Sequence, residues 1–400
     1  MEEWRKNVLL LWVAVFIAST TWSMVMPFMP LFLEEELGVA VGVAAWAGLL
    51  GAVNSMGMAV TAPLWGALGD RFGRKVMMLR AGLFLALAYL LMSLVTGPYE
   101  LLGVRVMIGM LTGFIPTATA LVGTTTPQAH LGKALATVAT ASPAGTILGP
   151  LFGGLFADLV GMRSTMLLSA VMVAVATLLV LLAVRERFSP AVRPQGSLLG
   201  EVGEVLRNRA FAAVLVTTVL LMASLAAMEP VLVPYIKGLL GPGAPNWLAG
   251  AIYALPGIGF LLAASWWAAR AERAGYVTTV TLGLLLGALL ILPQALVSTG
   301  WAMGGLRLSA GLALAAVSPG LSALITQVVP RSQRGRAFGL NQSALSLGAM
   351  LGPLAGGLVG DGLGPVYVFP LTALTLLAGA GWAWFVLGGR LRRVQLAADR

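Results

Sequence analysis

The 400-residue sequence contains no cysteine and one histidine, and only 10% of its residues are charged. Without cysteine there is no disulfide framework and no thiol chemistry. His130 has no second histidine or cysteine with which to build a metal site, which argues against zinc chemistry. The shortage of charge excludes an ordinary soluble domain, in which about 25% of residues are charged. Signatures of catalysis are also missing. There is no nucleophile with a base, no carboxylate pair at workable spacing and no phosphate-cradling loop, so neither an enzyme nor ATP drive from this chain is expected.

What fills the space is apolar. The chain is 58% hydrophobic, with a mean hydropathy of +0.92. A hydrocarbon core about 30 Å thick takes roughly 20 apolar residues per helical crossing. Twelve runs qualify: residues 8–33, 43–65, 75–96, 99–123, 133–160, 164–185, 209–238, 244–269, 275–297, 301–327, 335–362 and 364–388. Their length excludes a barrel, whose strands alternate over about ten residues. The first run is too long for a signal peptide and lacks a small-residue cleavage site, so it stays as a helix. One long polar connection, 186–208, separates a six-helix domain at 1–185 from a second at 209–400, which ends in a short tail. The expected fold is an all-α integral membrane protein with twelve transmembrane helices.

The net charge of +10 sets topology rather than a nucleic-acid partner. With a cytoplasmic N-terminus, 21 of the 25 basic residues fall in the inner segments, while Arg163 and Lys237 alone fall in the outer ones. That bias places both termini in the cytoplasm.

Glycine and proline, unwelcome inside most helices, recur here in register. Gly145, Gly149, Pro150, Gly153 and Gly154 form a GxxxGPxxGG pattern that returns 203 residues later at Gly348, Gly352, Pro353, Gly356 and Gly357. Glycines at i, i+4 and i+8 make a smooth stripe for close backbone approach, and the proline bends the helix beside it. At the same offset Pro27 matches Pro230, Pro127 matches Pro330, and Asp158 matches Asp361. Six crossings return a chain to its starting side, so the halves read as parallel repeats. Between runs 2 and 3 stands a tight loop of glycines and opposed charges, Gly66, Leu68, Gly69, Asp70, Arg71, Gly73, Arg74 and Lys75, with an echo at Ala271–Gly275.

Here the chain resembles the major facilitator superfamily, and specifically its bacterial twelve-helix drug:proton antiporters. Gly66 to Lys75 looks like the superfamily's loop signature. Arg105 with Gly109 and Gly113 looks like its helix 4 signature, and Gly145 to Gly154 like the helix 5 signature associated with antiporters. The resemblance implies a bacterial cytoplasmic membrane protein in which helices 1, 4, 7 and 10 line a central cavity. Access alternates as one domain rocks on the other, and Asp70 locks the cytoplasmic side against helix 11. In the implied fold helices 5 and 11 meet helices 8 and 2, so their glycine stripes would form the rocking contact. The expected partners are a lipophilic small molecule, protons and membrane lipids, with the proton gradient as energy source, no cofactor, and a monomer as the working unit.

Three ionisable residues lie within apolar runs: Arg105, Glu229 and Arg307. A charge near a helix centre costs at least about 2.5 to 3.5 kcal/mol, so each is a functional candidate. All three sit in the outer half at similar depth. Glu229, the one acid among them, is the candidate proton carrier, with the arginines as its electrostatic partners. Trp22, Met26, Met107, Met110 and Phe114 in the first half offer an adaptable apolar wall for substrate. Met222, Met228, Tyr235 and Met303 do so in the second. The leading expectation is proton-driven export of amphipathic compounds, that is, multidrug efflux and antibiotic resistance. The rival is a flippase or exporter for a lipid or other anion, with Arg105 and Arg307 as an anion clamp. A non-transporting receptor would need a soluble signalling domain that the chain has no room for.

Overall fold

A computed structural model describes residues 3–186 and 207–389, so most of the expected linker and the C-terminal tail lie outside the described residues. Twelve helices are long and apolar enough to cross a membrane. They are α1 (Glu3–Glu36), α2 (Val43–Phe72), α3 (Arg74–Leu94), α4 (Pro98–Thr125), α5 (Gln128–Val160) and α6 (Met162–Ala183). The second six are α7 (Arg209–Leu240), α8 (Asn246–Ala274), α9 (Tyr276–Ala295), α10 (Gly300–Val328), α11 (Arg334–Gly362) and α12 (Pro365–Gly388). No strand occurs among the described residues.

Local chemistry sets the boundaries. Asn208 starts α7, its side-chain oxygen accepting from the backbone N–H groups of Ala210 and Phe211 at 3.0 and 3.2 Å. Gly73, with φ of 97°, makes the whole turn between α2 and α3. The expected tight loop is therefore mostly helix, because α2 runs on through Gly66 and Gly69 to Phe72.

By compactness the chain forms two units. The first takes in α1 to α6 together with Leu240–Ala254, and the second holds the rest of the described chain. The division thus falls inside α8 as well as at the linker. Within the first unit α1 packs on α5 and α6, α3 on α6, and α2 on α4. Within the second, α7 packs on α11 and α12, and α9 on α12 and α10. Three of these pairings recur six helices on, α1 with α5 and with α6 and α3 with α6 returning as α7 with α11 and with α12 and α9 with α12.

The glycine stripes explain two of these pairings and correct an expectation. A methyl group on Gly145 would lie 2.6 Å from the Phe16 carbonyl oxygen, and one on Gly149 2.7 Å from that of Thr20. Gly153 would collide with the Met24 backbone. All three face α1 in their own half, not α8. In the repeat, Gly348, Gly352 and Gly356 face Val219, Ala223 and Ala227 of α7. The i, i+4, i+8 stripe is thus a seam inside each half, because a straight face of that length matches the neighbour running alongside it. Pro150 and Pro353 sit buried in continuous helix, and Gly357 is also buried.

Gly154, one position off the stripe, meets α8: a methyl there would lie 2.6 Å from the Trp247 nitrogen, and Gly250 approaches the Pro150 carbonyl in return. Asp158 completes that contact, accepting from the backbone N–H groups of Asn246 and Trp247 at 2.9 Å each and so capping α8. On α2 and α8 themselves, Gly57 turns to α4 and Gly259 to α10.

Overpacking a filled seam costs about 1–3 kcal/mol, whereas removing an unneeded helical glycine gains up to about 1 kcal/mol. Gly153→Ala should therefore lower the thermal unfolding midpoint of the purified protein. Gly123→Ala, at a helical glycine with nothing within 4 Å, should leave it unchanged or raise it.

Candidate functional site

The two buried arginines are carried by matching helices, each interrupted at its middle. In the first unit, α4 consists of Pro98–Leu111 and Phe114–Thr125, broken by Thr112 and Gly113. In the second, α10 consists of Gly300–Leu314 and Val317–Val328, broken by Ala315 and Ala316. Arg105 and Arg307 lie on the first segment of each, Pro98–Leu111 and Gly300–Leu314, and are 1% and 6% exposed.

Each of these arginine-bearing segments is fixed by the same pair of devices. Gly57 on α2 approaches Gly109 so closely that a methyl would stand 2.9 Å from its carbonyl carbon, and Gly259 on α8 does the same 2.8 Å from the Leu312 nitrogen. A tryptophan then closes each break. Trp65 Nε1 donates to the Met110 carbonyl at 2.7 Å, and Trp267 Nε1 to the Leu312 carbonyl at 2.8 Å. Both the glycines and the tryptophans are 202 residues apart. A carbonyl released by a helix break in hydrocarbon is costly to leave unpaired, so a buried indole N–H is an apt partner.

Arg105 donates to the Met26 sulfur, and its guanidinium carbon lies 5.6 Å from the centroid of the Trp22 ring. Met26 opens a short 3-10 turn, Met26–Phe28, in α1 at Pro27. Its counterpart 203 residues on is Glu229, which begins the second segment of α7, Glu229–Leu240, just before Pro230. Glu229 is half-buried. A proline thus bends both helices beside the position that carries Met26 in one half and the carboxylate in the other.

Other expected wall residues are placed elsewhere. Phe114 is 3% exposed and belongs to the core cluster of the first unit, under α3. Met303 is fully buried and Met228 nearly so, and Met222 packs against Gly348. Tyr235 turns to α9 and α12, its hydroxyl donating to the Gln294 carbonyl at 3.3 Å and its ring 5.0 Å from that of Phe369. These five serve packing, as large side chains at helical spacing commonly do. Met107 is half-buried and Met110 exposed, and Met26 and Trp22 lie against Arg105.

At the junction of α2 and α3 Asp70 pairs with Arg74, whose Nη1 also donates to the Gly66 carbonyl at 3.4 Å. Arg71 points over the Phe72 ring. Glu186 caps α3, accepting from the backbone N–H groups of Arg74 and Lys75 at 3.0 and 2.8 Å. Glu186, Trp65 and Trp267 are not among the residues expected from sequence. The 202-residue spacing of the tryptophans is the signal that singles them out.

Over residues 11–304 and 230–399 the sequence matches the Major Facilitator Superfamily. It is 35% identical over 401 residues to Multidrug resistance protein MdtG of Citrobacter koseri, covering 99% of this chain and 98% of that one. The chain belongs to the Major Facilitator Superfamily. Identity to MdtG of Salmonella typhimurium is 34% over 401 residues, covering 99% of this chain and 98% of that one. Among solved structures, the nucleoside transporter NupG aligns with a TM-score of 0.81 at 14% identity, covering 94% of this chain and 98% of that one. A bacterial homolog of the human lysosomal transporter Spinster aligns at 0.80 and 15%, covering 98% of each. These last two are likenesses of fold. As a superfamily member the chain is a multi-pass membrane transporter and not an enzyme.

Trp267→Phe keeps the ring and strands the Leu312 carbonyl. It should destabilise the second unit by about 1–3 kcal/mol, read as an earlier unfolding transition in detergent. Trp382→Phe removes one donor, at 3.1 Å, from the Ala213 carbonyl on α7, which still accepts from the Thr217 hydroxyl at 3.0 Å, so its loss should be smaller than that of Trp267→Phe.

Proposed function

We propose that this transporter is a proton-driven antiporter that exports amphipathic or lipophilic compounds by alternating access, a multidrug efflux protein of the bacterial inner membrane with both termini in the cytoplasm. The full-length identity of 35% to a multidrug resistance protein carries the substrate class. Energy coupling rests on Glu229, the single acid within the apolar runs apart from their ends. An acid inside a membrane span is costly to keep there, and carrying the coupled proton is a task that fits a carboxyl group in a transporter. Arg105 and Arg307 act as the electrostatic partners that tune it. Two six-helix halves provide the moving parts, no bound cofactor is required, and the monomer is sufficient.

Reconstitution tests this reading. Proteoliposomes with an imposed pH gradient should export cationic and neutral lipophilic dyes with proton counterflow. Glu229→Gln should abolish export driven by the gradient while dye still binds. Transport confined to anions, and lost in Arg105→Ala and Arg307→Ala, would replace the proposal with an anion exporter.

A further inference from the structure

The two interrupted helices differ at the break itself. In α10 the break keeps helical dihedrals, φ −59° and ψ −20° at Ala315 and φ −67° and ψ −29° at Ala316. In α4 the chain leaves the helix altogether: Thr112 has ψ of −149° and Gly113 has φ of +114°, a conformation that favours glycine. A third side chain attends this wider break. Arg80 of α3 lays its guanidinium carbon 3.3 Å from the centroid of the Trp65 ring and donates from Nη2 to the Thr112 carbonyl at 3.3 Å. The residue 202 positions on is Leu282. The clasp of the first half therefore has a cation that the second lacks.

Arg80 is an expensive way to cover one carbonyl. Its Nε and Nη1 are buried without a hydrogen-bond partner among the described residues. Stacking on an aromatic face recovers part of what the half-buried cation loses in hydration. Two spare donors beside a break that has released several carbonyls mean that a second arrangement, with other carbonyls taken up, is within reach. Room for it exists. A cavity of about 130 Å³ lies at the break, bounded by Trp65, Thr112, Gly113, Pro116 and Thr117. The segment thus has space beside it to move into.

We infer that Gly113 is a hinge in α4 and that Arg80, stacked on Trp65, is the clamp that sets its angle and so positions Arg105. Arg105 stands eight residues before Gly113, about 12 Å along the helix, so a swing of about 10° shifts it by about 2 Å. That is enough to change its distance from Trp22 and Met26. Arg80 is a positioning residue: it acts on transport through Arg105, and in that respect the inference rests on the coupling role proposed above.

The absence of cysteine gives a clean background for the test. Spin labels at Gly103→Cys on the first segment of α4 and Gly132→Cys on α5, two positions with open space around them, report the hinge angle by pulsed electron resonance. The parent should give one narrow distance distribution. Arg80→Met, which removes a buried cation with unmet donors, should fold with a similar unfolding midpoint but show a distribution broadened or shifted by about 2 Å. Arg80→Lys, with a cation over the ring but no planar fork, should fall between. An unchanged distribution in Arg80→Met, or in Arg80→Lys if the former does not fold, overturns the clamp. In proteoliposomes Arg80→Met should slow turnover about tenfold with the half-saturating dye concentration unchanged, as misplacing a working group does. If Glu229→Gln retains gradient-driven export while the Arg80→Met distance still shifts, the coupling reading falls and the hinge stands. If the distance stays fixed while Glu229→Gln abolishes export, the hinge falls alone.

Discussion

A backbone carbonyl released inside hydrocarbon has no water to turn to, and much of this structure follows from how that demand is met. The helices that carry Arg105 and Arg307 are both broken, and each break exposes a carbonyl at the same place, Met110 and Leu312. The answer in each half is an indole N–H from the neighbouring helix, Trp65 or Trp267. An indole reaches that carbonyl only if the two helices nearly touch. Gly57 against Gly109 and Gly259 against Gly311 supply that approach. Glycine contact and tryptophan bond are thus parts of one solution: the first brings the backbones together, and the second satisfies what the break leaves open.

The duplicated framework makes its departures informative. Where the copies agree, as in the stripes Gly145–Gly149–Gly153 and Gly348–Gly352–Gly356, the residues pack one helix on its neighbour within a half. Where they differ, the chemistry changes: Met26 against Glu229, Gly113 against Ala315, Arg80 against Leu282. Packing constraints act alike on both copies, so a position that diverges within an otherwise matched framework is one where the halves have been given different work.

Most of the fold is legible in the sequence because the bilayer imposes length and polarity on every crossing. All twelve runs correspond to helices, with ends displaced by a few residues, and the repeat is visible in proline and glycine spacing. Side-chain direction is less legible. A glycine stripe announces close approach but not its partner, so in sequence it reads as a contact with α8 or α2 although it faces α1 and α7. Phe114, Met303 and Tyr235 look the same in sequence whether they line a path or fill a core, since both uses favour large apolar side chains at helical spacing. The stretch from Gly66 to Lys75 reads as a loop, yet one glycine suffices to make the turn. The ionisable residues are the easiest to find, because a charge stands out in an apolar run.

The placement of the wider break also constrains the transport reading. A hinge is useful only if its two arrangements are close in free energy, and a break fully satisfied in one arrangement would be locked there. The second half meets that description of a lock: helical dihedrals are kept, and Trp267 takes the carbonyl of Leu312. The first half does not, since Gly113 departs from the helix, Arg80 keeps two donors in reserve, and a cavity adjoins Gly113 and Trp65. On the proposed reading the half that bears the carboxylate holds its arginine rigidly, while the other half moves its arginine on a hinge. A proton carrier needs such a contrast, because a carboxylate changes its affinity for the proton only when something near it moves and something else holds still.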